Sequence, residues 1–218
     1  FKTVDYVEYN PSFIMSEVNP KIQSAIELSI TNKISKDTKP LATYQSSKGF
    51  GETIYYRRTG GRYWKLIKSY PTYFLSATCS SSTTENQMTI ESEYAKGLVS
   101  ILSSSLFYWY WRIVSNCRDV TNRELFNFPV SIYSIKKIKE LRMLTKEYEA
   151  DLEKNKKRVV TNSERTGEIV QDFYFARLSK PILDKIDTLL AEHYGFTQEE
   201  LDFIINYDIK YRMGDELN

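Results

Sequence analysis

Cations alternate with aromatic rings in one short stretch, Tyr55-Tyr56-Arg57-Arg58-Thr59-Gly60-Gly61-Arg62-Tyr63-Trp64-Lys65. Arginine forks pair with phosphate oxygens or guanine edges, and aromatic rings offer flat faces for contact. Over residues 47–73, the cations Lys48, Arg57, Arg58, Arg62, Lys65 and Lys68 face one acid, Glu52, a local balance of +5 in a chain whose total is +2. Charge concentrated in this way within a balanced chain points to a polyanion, most often nucleic acid. The same pattern also suits a twisted hairpin whose arginine stems cover apolar surface. A second group, Asn116-Cys117-Arg118-Asp119-Val120-Thr121-Asn122-Arg123, directly follows a strongly apolar stretch. Its Asn116, Arg118, Asn122 and Arg123 are of the types that read base edges, and a rigid element before them can aim them. Read without a ligand, that segment is a polar capping loop. The run Lys154-Asn155-Lys156-Lys157-Arg158 suits either phosphate contact or a solvated helix end.

Enzyme chemistry is harder to find. No G-x-x-x-x-G-K-[ST] loop, G-x-G-x-x-G turn, H-E-x-x-H pair or G-x-S-x-G elbow occurs. His193 is the single histidine, which argues against histidine-rich metal sites and a Ser-His-Asp triad. Asn10-Pro11-Ser12-Phe13 is similar to the Asn-Pro-Pro-Tyr/Phe motif of adenine-N6 methyltransferases. Its second proline is serine, and too few residues precede it for a cofactor-binding strand, so it reads as a turn. Cys79 and Cys117 form no metal or disulfide framework, and reduced thiols in a cytoplasmic protein are expected.

Length and composition then set the frame. With 218 residues and 41% hydrophobic content, the chain is expected to fold as one domain or two small ones around a sizeable core. The longest apolar stretch, Leu106 to Val114, is interrupted by Arg112 and is too short for a bilayer, so no membrane partner is expected. Because the chain opens at Phe1 rather than Met, it is expected to be a piece of a longer polypeptide.

The elements that must position the two cationic groups follow from periodicity. Residues 1–19 read as extended. A helix over Ile22, Ile26, Leu28 and Ile30 is expected to open at Pro20. Leu41–Tyr44, Thr53–Arg58 and Tyr63–Ile67 read as strands, the last two joined by Gly60-Gly61 as a hairpin. Tyr73–Cys79 and Met88–Ile90 are further strands, separated by a polar loop over Ser80–Thr84. From Ser92 the period becomes helical through Leu98, Ile101 and Leu102. Leu106–Val114 is apolar on nearly every face and should be buried, with Trp109 and Trp111 in the core. Ile135, Ile138, Leu141, Leu144, Tyr148 and Leu152 predict a long amphipathic helix ending in the Lys154–Arg158 run. Thr161–Glu168 reads as a linker. Ser179-Lys180-Pro181 starts a helix that Gly195 stops, and Thr197-x-x-Glu200 opens the last one. The predicted class is α+β: an antiparallel or mixed sheet flanked by helices over residues 1–130, then a helical region over 131–218.

Four stretches together resemble a known family: Ile54–Trp64, Ser103–Trp111, Asn116–Leu125, and Ile186–Phe196 continuing through Glu199–Met213. The chain resembles the C-terminal target-recognition domain of bacterial type IIG/IIS restriction–modification adenine-N6 DNA methyltransferases, the TaqI-like specificity domain, over most of residues 40–215. The resemblance implies an α+β module that docks on double-stranded DNA, selects a short sequence and presents an adenine to a methyltransferase domain of the same polypeptide. That domain, which would carry S-adenosylmethionine, lies upstream of Phe1 in this reading. No cofactor and no catalytic residue are expected in this chain, and Arg57, Arg58, Arg62, Tyr63, Trp64, Lys65, Lys68, Asn116, Arg118, Asn122 and Arg123 are the expected DNA contacts. A specificity subunit of a multi-subunit restriction system and a protein-interaction module built on the helical half remain alternatives.

Overall fold

A computed structural model describes residues 20–36, 39–47, 50–59, 64–132, 135–163 and 167–214. The extended reading of residues 1–19, the Asn10–Phe13 turn, the Gly60-Gly61 turn, Arg62 and Tyr63 lie outside them. The class is α+β. Among the described residues, two antiparallel three-stranded sheets accompany the helices, and the C-terminal region is largely helical.

The first sheet has the order β2-β1-β4, with β1 Gly51–Arg57, β2 Ile67–Lys68 and β4 Glu85–Glu91. Strand alternation sorts its side chains. Ile54, Tyr56, Ile67, Met88 and Ile90 are buried on one face, and that face packs on α2, Ser92–Ser103. Ser104 breaks α2 and caps α3, Ser105–Val114, by accepting the Phe107 N–H at 3.0 Å. As its composition predicts, α3 buries every residue except Arg112. The edge-on contacts of Phe107 and Tyr110 with Phe128, at ring separations of 5.3 and 4.9 Å, tie it to the segment that follows.

Helix α5, Ile138–Asn155, lays Leu141, Tyr148 and Leu152 against the body of the protein. Gly97 of α2 allows close approach: a Cβ there would stand 2.6 Å from Ile138 Cδ1. Helix α6, Lys180–Tyr194, has Pro181 in its first turn and ends at Gly195 in the left-handed conformation, where an L side chain is strained. The Thr197–Glu200 capping box opens α7, Gln198–Ile205, as its spacing predicts. A short α8, Ile209–Met213, follows.

Several elements differ from the sequence reading. The first helix, α1, runs over Ala25–Ile34 and begins at the Ser24 cap rather than at Pro20, because Ser24 Oγ satisfies the Glu27 N–H. Leu41–Tyr44 is a 3₁₀ turn, not a strand. Its period of three puts Leu41 and Tyr44 on one buried side, where the Tyr44 hydroxyl donates to the Val130 carbonyl and accepts from the Ile132 N–H. The long helix starts at Ile138 and stops at Asn155, so Lys157 and Arg158 belong to a strand. The described residues of Thr161–Glu168 are strand rather than linker: β5, Lys157–Ser163, and β6, Gly167–Phe173, form a second sheet with β3, Phe74–Ser76, in the order β3-β6-β5. Strands from either side of residue 130 therefore share one sheet. One contiguous core runs from Ile30 to Ile204.

Candidate nucleic-acid interface

The two cationic stretches meet. Strand β1 carries Arg57 and then Arg58 out of the first sheet, and α3 delivers the chain to Ser115. The Val120 N–H donates to the Arg58 carbonyl at 2.9 Å, so the loop after α3 lies alongside the end of β1. That loop is held from several sides. Trp111 Nε1 donates to the Asp119 carbonyl at 3.1 Å. Lys21 Nζ donates to the Ser115 carbonyl at 2.6 Å, and the Cys117 N–H donates to Ser115 Oγ at 3.0 Å. Cys117 adopts a φ of 62°, a left-handed conformation that is costly for a residue with a side chain. Strain of this kind persists only where the surroundings fix it, and here it lies between the exposed Asn116 and Arg118.

A short helix absent from the sequence reading, α4, Asn122–Phe126, follows at once. Thr121-x-x-Glu124 caps it, the Thr121 N–H donating to Glu124 Oε2 at 2.8 Å. This is the spacing by which α7 is legible, and it would have revealed α4. Arg123 projects from its first turn, its side chain 58% exposed and only 3.8 Å from Glu124 Oε1. Asn122 is exposed and accepts from the Tyr56 hydroxyl at 2.9 Å through Oδ1, which occupies its acceptor and leaves the amide N–H groups as its donors. Asn116 uses Oδ1 in the same way, accepting the Arg118 N–H at 3.0 Å. Arg58, Asn116, Arg118, Asn122 and Arg123 are all exposed.

Of the remaining expected contacts, Arg57, Trp64, Lys65 and Lys68 are described, and each is partly or wholly buried. Arg57 is half-buried and donates through Nε to the Thr59 carbonyl at 3.0 Å. Trp64 is half-buried; its Nε1 donates to the Arg212 carbonyl at 2.7 Å, and the Arg212 guanidinium lies 4.0 Å over its ring. Lys65 is buried with Nζ 3.9 Å above the Trp111 ring. Burial pulls its ammonium down to about 8, against the attraction of Asp119. Lys68 is fully buried and pairs with Glu85 at 3.0 Å among the rings of Tyr70 and Tyr174. Burial lowers its pKa although Glu85 opposes the shift. Lys68 therefore balances an internal acid and Lys65 sits against the Trp111 ring, and neither forms an outer surface. Lys68 lies opposite Tyr55 in the β1–β2 pairing, on the sheet face away from Ile54 and Tyr56, and Glu85, Tyr70 and Tyr174 cover it there.

Two cations of the Lys154–Arg158 run, Lys156 and Arg158, are paired within the fold, while Lys154 and Lys157 are exposed. Arg158 pairs with Asp172 at 2.7 Å and stacks 4.0 Å over Tyr73, while Lys156 reaches Asp172 and Glu153 at 2.9 and 2.6 Å. The Arg158 hydrogen bonds hold the Asp172 carboxyl below its usual range. Among the described residues, no cluster of His, Cys, Asp and Glu is arranged for a metal ion, and no helix is long and apolar enough to cross a membrane. Comparison with known proteins found no matching family model, no similar curated protein and no similar solved structure.

Proposed function

We propose that this chain is a sequence-specific double-stranded DNA recognition module of a restriction–modification enzyme. In this reading it positions a target adenine for a methyltransferase domain of the same polypeptide. The observation that carries the reading is the bond between the Val120 N–H and the Arg58 carbonyl. Through it, two cation-bearing segments far apart in sequence lie alongside one another. Arg58 serves phosphate, and Arg118 and Arg123, leaving a rigid aromatic helix, serve base edges. S-adenosylmethionine belongs to the catalytic domain in this reading, and this chain contacts DNA alone.

Titration of duplex DNA into the purified chain tests the proposal. Nonspecific binding on the order of 10⁻⁴–10⁻⁶ M at physiological salt is expected, tightening as salt is lowered. Arg58→Ala should weaken all duplexes alike and reduce the salt slope by about one. Arg118→Ala or Arg123→Ala should cost about 1–3 kcal/mol on the preferred sequence and relax the choice at one position. The absence of binding to any duplex at low salt would remove the proposal. A separate measurement concerns chemistry: incubated with plasmid DNA and labelled S-adenosylmethionine, the chain by itself should transfer no methyl group, and label in the DNA would assign it catalysis.

A further inference from the structure

A cleft of about 720 Å³ lies beside the first sheet, walled by Tyr55, Tyr73 and Phe74, by Gln87 and by the Ser80–Ser82 loop. Its charge is already satisfied. Glu85 is the charged group in this lining among the described residues. Its carboxylate accepts from Lys68 Nζ at 3.0 Å, from the Thr72 N–H at 2.8 Å and from the Thr72 hydroxyl at 2.6 Å. The walls are therefore aromatic and neutral-polar, which suits an uncharged planar ring with hydrogen-bonding edges.

The strand pairing supplies such edges. Tyr55 and Gln87 are direct partners across β1 and β4, on the face opposite the buried Ile54 and Tyr56. Arg58 N–H bonds the Thr84 carbonyl, so backbone groups alternate from that pair along β4. Glu85, Gln87 and Thr89 then turn theirs away from β1, as the bond from the Ser46 N–H to the Thr89 carbonyl at 3.0 Å confirms. Gln87 thus offers both a side-chain amide and an edge-facing N–H and C=O beside the Tyr55 ring. A second concavity shares Thr72, Phe74, Ser82 and Glu85 with the first and extends to Arg57. The aromatic cleft thus adjoins a concavity lined by Arg57, which precedes exposed Arg58 in the chain, and by Asp172, whose carboxylate already pairs with Lys156 and Arg158.

We propose that this cleft receives one unstacked nucleobase. Its ring lies against Tyr55 and Phe74, its donor–acceptor edge meets Gln87, and its phosphate sits at Arg57. This inference rests on the reading of the chain as a DNA recognition module. An extended proline-rich peptide would also use aromatic walls, but it gives Arg57 no anionic partner.

Adding AMP, GMP, CMP or dTMP to the isotopically labelled chain, with inorganic phosphate in parallel, tests the inference by NMR. Saturable shifts at Tyr55, Phe74 and Gln87 are expected with nucleotides, and shifts confined to Arg57 and Arg58 with phosphate. Tyr55→Ala should weaken nucleotide binding roughly fivefold or more. Gln87→Ala, at an exposed position, should weaken it without disturbing the fold. Identical shifts from phosphate alone, or unaltered affinity in Gln87→Ala and Tyr55→Ala together, would overturn the assignment. So would shifts from a proline-rich decapeptide where nucleotides give none. Duplex titration of the same sample separates the two readings. Duplex binding without nucleotide shifts removes the base cleft alone. Nucleotide shifts without duplex binding leave the cleft and remove duplex recognition.

Discussion

Replacing Leu141 with aspartate should unfold a large fraction of the protein under native conditions. Leu141 is fully buried on α5, where the Ser100 hydroxyl donates to its carbonyl at 2.8 Å and Gly97 brings α2 close. Losing the leucine side chain alone costs about 2–5 kcal/mol. The new carboxyl adds a burial penalty without a partner, whether it stays charged or takes up a proton. The combined loss, roughly 5 kcal/mol or more, rivals the whole stability of an ordinary domain. Leu144 is half-buried, so Leu144→Asp should cost less. Met143, 70% exposed on the same helix, provides the control: Met143→Asp should stay within about 0.5 kcal/mol. Urea titrations of the three variants decide the matter. A wild-type midpoint for Leu141→Asp would mean that the stripe is no core at all.

That stripe is legible because a helix repeats its environment every three or four residues, so burial writes itself into spacing. Local chemistry was legible for the same reason at Pro181, Gly195 and Thr197, where a cap or a stop needs a particular residue type. The second sheet was not. Strands β5 and β6 leave many side chains exposed, so no apolar alternation marks them. Their third strand, β3, lies more than ninety residues upstream of β6, the strand it pairs with, and no local pattern reports a pairing of that range. Leu41–Tyr44 misled in a related way, since a short run of mixed apolar residues fits a strand or a turn equally until its tertiary neighbours decide.

The candidate interface divides along the same line. That arginine, asparagine and aromatic residues concentrate in two stretches is a property of the sequence. Which of them face outward depends on long-range contacts. Lys68 turned inward because Glu85 and Tyr174 reach it from other strands and segments, and Trp64 was taken by Arg212 from the far end of the chain. The contact between Val120 and Arg58 is of this kind too. Charge counting finds cations, but it does not distinguish one that meets a ligand from one that balances a buried acid.

Asp187 shows how far such internal balancing goes, and its titration should be visible in stability. It is 2% exposed on α6, and its two oxygens accept the first N–H groups of α3: Leu106 at 3.0 Å and Ser105 at 3.1 Å. These are donors that the helix itself leaves unpaired. Arg212, equally buried, donates to Ser105 Oγ at 3.0 Å beside it. Asp187→Ala strands both N–H groups and removes a counter-charge of Arg212, so a loss of about 3 kcal/mol is expected at pH 7. The pH dependence carries the opposite sign from an ordinary surface aspartate. Burial pushes the Asp187 carboxyl up to about 6, although the two N–H groups and Arg212 resist the shift. The unfolded chain has its aspartates near 3.9, so between about pH 4 and 6 the folded state holds more protons at this site. Its contribution to stability is therefore greatest at low pH and falls by about 3 kcal/mol in all as pH rises through 6. Asp172 and Glu200, whose pKa values are lowered by ion pairs and hydrogen bonds, act in the other direction. Comparing wild type with Asp187→Asn cancels them, because both proteins contain them. The stability of wild type minus that of Asp187→Asn, from urea titrations at pH 4, 5, 6 and 7, should fall steadily and then level off. A difference that stays flat across that range would mean that the helix terminus and Arg212 hold Asp187 charged throughout, with burial fully offset.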